Sequence, residues 1–125
     1  MGQIYRMRTA EAVGEGVDYE IIQILKNSVG DVRYEEIAEE ATFALAARLG
    51  RLDRALREAD LAMCYRHALN ICGISSQIGL TGVARVATDV MTCTKDGNVE
   101  ALSAVVSRLN RLAEASLFSV FDTGA

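Results

Sequence analysis

Ile37, Ala41, Leu45, Leu49, Leu52 and Leu56 recur every three or four residues, so on a helix they line a single face. A stripe of that length must be buried against another surface. The rest of the chain supplies that surface in the same pattern. Cys64, Ala68, Ile71, Ser75 and Ile78 make a second stripe, and Val83, Val86, Ala87 and Val90 a third. Leu102, Val105, Val106, Leu109, Leu112 and Leu117 make a fourth, and a shorter cluster at Ile21, Ile22, Ile24 and Leu25 precedes them all. The 125 residues contain no proline, so the strongest helix breaker is missing throughout. No strand pattern or internal repeat stands beside these stripes.

Polar residues and glycines punctuate them. Asp18 is placed to cap a short helix ending near Gly30, and a long helix is predicted from about Tyr34 to Ala59. Asp60 caps a third helix from Leu61 to about Gln77, and Thr81 caps a fourth. Lys95–Gly97 reads as a turn, with Asp96 or Asn98 capping the last helix. Connections this short force successive helices to double back. The expected fold is therefore all-α, an up-and-down antiparallel four-helix bundle with an extra N-terminal helix. It occupies residues 18–121, between an N-terminal tail of residues 1–17 and a C-terminal tail of residues 122–125. Within the first tail, Thr9–Val13 is a further short helical candidate.

Thirteen basic against seventeen acidic residues leave a net charge of −4, which argues against general nucleic-acid binding. An anionic membrane partner gains no support either. No apolar run reaches spanning length, and Met1–Val17 lacks the apolar block of a signal peptide, so a cytoplasmic protein is expected. Half of the residues are hydrophobic, enough for a core without disulfides or metal. The three cysteines form no CxxC pair and read as reduced apolar side chains. A zinc site would need all three plus His67, the single histidine, at spacings unlike any zinc motif. Neither metal nor cofactor is expected. On the long helix, Glu35, Glu36, Glu39 and Glu40 come early and Arg48, Arg51, Arg54 and Arg57 late, an order that suits the helix dipole. A solvated face is the first reading of those arginines, and a docking face for an acidic partner the second.

Catalytic motifs are missing. There is no phosphate-cradling glycine loop, no HExxH and no Ser/His/Asp set, so no autonomous catalytic site is expected. The informative stretch runs from Tyr65 through His67, Leu69, Cys72, Gly73 and Ser76 to Gly79. With Val29-Gly30-Asp31 before the long helix, Ala55-Leu56 followed by Asp60, and Asp96-Gly97 before the last helix, it resembles the histidine-containing phosphotransfer (Hpt) domains of bacterial phosphorelays. The resemblance covers about Asp18 to Leu117. It implies a four-helix bundle in which an exposed histidine, in His-x-x-Lys-Gly, exchanges a phosphoryl group with receiver-domain aspartates.

The register departs from that family at the acceptor. Four residues back from Gly73, ten back from Gly79 and fourteen on from Ala55 all arrive at Leu69, and the lysine position falls on Cys72. Residues two apart on a helix diverge by about 200°, so His67 cannot stand in for Leu69 on the same face. The stripe through Cys64, Ala68, Ile71, Ser75 and Ile78 puts His67 roughly 40° from the core direction and Leu69 roughly 160° away. His67 is thus expected to be a buried, hydrogen-bonded core residue. Leu69, Cys72, Gly73 and Ser76 are the candidate partner-docking surface. Gly73 admits two explanations, close approach of another protein or tight packing inside the bundle. The resemblance implies a non-phosphorylated adaptor that docks on a response-regulator receiver domain or a sensor kinase. A phosphocarrier using His67 and a helical scaffold or oligomerisation module are the other readings.

Overall fold

The computed structural model of the protein describes residues 17–122, with side chains to residue 117. Asp18 opens helix α1 (Tyr19–Val29), its Oδ1 accepting from the backbone N–H of Glu20 at 3.0 Å and of Ile21 at 3.2 Å. Gly30, at a φ of +83°, ends α1 and begins α2, since its carbonyl already accepts from the N–H of Tyr34. Helix α2 accordingly spans Asp31–Arg57, beginning before the expected Tyr34 because one left-handed residue suffices as the break. It stops short of Ala59, which itself takes a left-handed φ of 55°.

Helix α3 covers Leu61–Gln77, α4 Thr81–Asp96 and α5 Val99–Asp122. Asp60 caps α3 through Met63 N–H at 3.1 Å. Asn98 rather than Asp96 caps α5, accepting from Ala101 N–H at 3.1 Å. Thr81 is not the cap of α4. That place belongs to Leu80, which makes no side-chain bond there but is fully buried, and whose N–H reaches Ser75 O at 2.8 Å. Apolar burial, not a hydroxyl, sets the start of this helix.

The described residues are helical with no strand. Helices α2 to α5 each pack on the next, α5 returns to α2 to close the ring, and α1 lies against α2. The core is filled by Leu45, Leu52, Ile71, Val83, Val86, Val90, Leu102 and Leu109, all essentially inaccessible to solvent. Each buried leucine contributes about 1.5–3 kcal/mol. Alanines at 38, 41, 55, 68, 87 and 113 lie among them, letting the helix axes come close.

Val17, the residue before the expected start of the bundle, is buried in that core. Asp18 donates its backbone N–H to Gly79 O at 2.7 Å, and Lys26 Nζ sits 4.9 Å above the Tyr34 ring. At the other end α5 extends to Asp122, into the expected tail. Thr9–Val13 and residues 123–125 lie outside the described residues. Among the described helices none is long and apolar enough to cross a membrane.

Candidate functional site

The rotation of α3 follows its apolar stripe. Cys64, Ala68, Ile71 and Ser75 are fully buried and Ile78 nearly so. His67 is 6% exposed and Leu69 51%, which puts the histidine inside and the leucine outside. Gly73 and Ser76 share the outward side with Leu69. Cys72 does not. It is half-buried toward α4, with Sγ 3.7 Å from Thr88 Oγ1. A methyl group placed on Gly73 would meet nothing within 4 Å, so packing inside the bundle does not account for this glycine.

The surroundings of His67 are cationic. Burial, reinforced by Arg48 and Arg51 of α2 and by Arg66 and only partly opposed by Asp60, pushes the imidazole below its ordinary value of 6.5. The ring is therefore neutral near pH 7. Its Nδ1 is buried without a hydrogen-bond partner, which corrects the expectation of a bonded core histidine. The arginines that bear on it electrostatically do not come within hydrogen-bonding reach of that nitrogen. An imidazole that attacks a phosphoryl group must align with it in-line, and this ring lies beneath the surface.

The other family-like positions hold structure here. Ala55 is core, Asp60 is a helix cap and Gly97 forms the turn before α5. Gly79 lies just past the end of α3, with a φ of +81°. An added Cβ would stand 3.0 Å from Asp18 O and 3.1 Å from Ile22 Cγ1. This glycine admits α1 to the end of the bundle.

Two features of the face escaped the sequence. Thr88 borders it from α4 beside Cys72, and Lys95 Nζ lies 5.4 Å above the Tyr65 ring, edging a shallow groove with Leu61, Ala62 and Thr94. Both depend on how α3 and α4 interleave, which residue spacing within one helix does not encode. The described residues hold no cluster of histidine, cysteine and carboxylate side chains suited to a metal. No protein-family model, curated protein or solved structure matches the chain.

Proposed function

We propose that the protein is an Hpt-like adaptor of bacterial two-component signalling, acting in the cytoplasm without carrying a phosphoryl group. It docks on a receiver domain, or on the sensor kinase that feeds one, through the outward side of α3. One observation carries this reading. The position that the Hpt register assigns to the acceptor holds Leu69, half exposed, while His67 is buried, its pKa lowered by burial and by nearby arginines. Gly73, one turn on, adds no side chain that would keep a second protein away from the helix. Covering a leucine is worth roughly 1.5–3 kcal/mol, a large share of a weak signalling contact.

The test is calorimetric titration of the chain with purified receiver and kinase domains, alongside Leu69→Asp. The reading expects one of them to bind, and to lose at least about tenfold in affinity to the variant, the equivalent of roughly 1.4 kcal/mol. Incubation with phosphorylated receivers should leave no phosphate on the chain. A phosphohistidine mapped to His67 would instead establish a phosphocarrier, and the adaptor reading would fall.

A further inference from the structure

The outward side of α2 carries a second pattern, opposite the stripe that builds the core. Glu36, Glu40, Phe43, Ala47, Gly50 and Arg54 recur at alternating intervals of four and three, and all six are exposed. That spacing is the seam of a paired helix, in which residues of one strand seat between residues of the other. Phe43 is 77% exposed, the most exposed of the large hydrophobic side chains among the described residues. Gly50 weakens the middle of a long helix, and a methyl group there would touch nothing within 4 Å, so no contact inside the bundle explains it.

We infer that α2 is a self-association surface, whose partner is a second copy of this chain running antiparallel across a two-fold axis near residue 45. Charge makes the choice of occupant. The seam is acidic before Phe43 and basic after Gly50, so a parallel copy would set glutamates against glutamates and arginines against arginines. The antiparallel copy brings Phe43 level with Ala47 of its mate, Glu36 level with Arg54, and Glu40 beside Gly50 and Arg51. The phenyl ring then enters the low ground left by alanine and glycine, and the contact is isologous, as two-fold dimers require. In the single chain Arg33 pairs with Glu36 at 2.9 Å and Arg54 with Glu58 at 3.0 Å, all four side chains being more than half exposed. Exchanging such pairs across the axis is nearly neutral, so Phe43 supplies the drive and the charges set direction. One helix pair buries less than about 1,200 Å², which makes the dimer weak and concentration-dependent. The inference requires nothing of the α3 face.

Sedimentation velocity of the full chain from about 1 to about 500 μM, a span that brackets small interfaces, reads the equilibrium. The expected result is a reversible dimer that dissociates more readily as salt is raised. Phe43→Asp, Glu36→Arg with Glu40→Arg, and Arg51→Glu with Arg54→Glu should each give a monomer with an unchanged helical spectrum. Mixing the two charge-reversed doubles should restore a dimer, because basic halves then meet acidic halves at both ends. A wild-type chain that stays monomeric to the highest concentration overturns the inference. So does a dimer indifferent to Phe43→Asp, or a mixture of the doubles that stays monomeric.

Discussion

Asn110 Nδ2 donates to Asp53 Oδ1 across 2.9 Å, joining α5 to α2 where the ring of helices closes. The bond is partly buried and its acceptor is charged, so it falls among the stronger hydrogen bonds. Asn110→Ala should lower unfolding free energy by about 1–2 kcal/mol, read from urea midpoints. In a double-mutant cycle with Asp53→Ala the two losses should fail to add by about 1 kcal/mol. Simple additivity would mean that the pair does not hold the seam.

His67 gives the chain a pH dependence of definite sign. Its folded-state value is depressed below 6.5, so the unfolded chain takes up the proton first. The stabilising contribution is therefore whole above pH 6.5, declines as pH falls below 6.5, and levels off beneath the folded-state value. Urea midpoints for the wild type should drop across that window, and those for His67→Leu should drop less. Because the leucine also removes an unpaired buried nitrogen, its midpoint at pH 7.5 should match or exceed the wild type. A steeper decline in the variant would contradict this account.

Four turns of the bundle use a residue of positive φ, Gly30, Ala59, Gly79 and Gly97, and only Ala59 carries a Cβ. Ala59→Gly should raise stability by up to about 1 kcal/mol, the relief of αL strain exceeding the added entropy of the unfolded chain. Gly79→Ala should do the reverse and cost about 2 kcal/mol or more, because the same strain is compounded by collision with Asp18 O and Ile22. Thermal denaturation of both variants beside the wild type decides the matter. Amide exchange in Gly79→Ala should rise first in α1.

The rotation of α3 can be checked without any partner. Leu69→Asp replaces an exposed side chain and should shift stability by no more than about 0.5 kcal/mol. Ile71→Ala, two residues on and fully buried, should cost about 2–5 kcal/mol. If the two costs were reversed, the assignment of an outward Leu69 would be wrong, and the docking proposal would go with it.

The bundle was legible because its information is local. Stripes of period 3.6 placed Ile71 inside and Leu69 outside, and a single helix suffices to compute that angle. Boundaries were legible where a side chain caps, as at Asp18, Asp60 and Asn98, and at the ends near Gly30 and Gln77. The start of α4 was misjudged because burial of Leu80 overrode the hydroxyl of Thr81. The unpaired Nδ1 of His67, the Cys72–Thr88 contact and the Asp53–Asn110 bond each depend on which helices lie side by side. That interleaving is set by the whole bundle at once. Of the four docking candidates, Leu69, Gly73 and Ser76 are exposed on one side of α3, whereas Cys72 is half-buried, with Sγ 3.7 Å from Thr88 Oγ1.

The order of packing in the ring also sets its speed of assembly. Each helix meets the next one in the chain across a turn of a few residues, and distant segments are joined at the α2–α5 seam and where Asp18 meets Gly79. Closing short loops loses little entropy, and topologies dominated by such contacts fold in microseconds to milliseconds. The seam must wait until three intervening turns have formed. On that order the Asp53–Asn110 bond is expected to form late, so stopped-flow kinetics of Asn110→Ala should show faster unfolding with an almost unchanged folding rate.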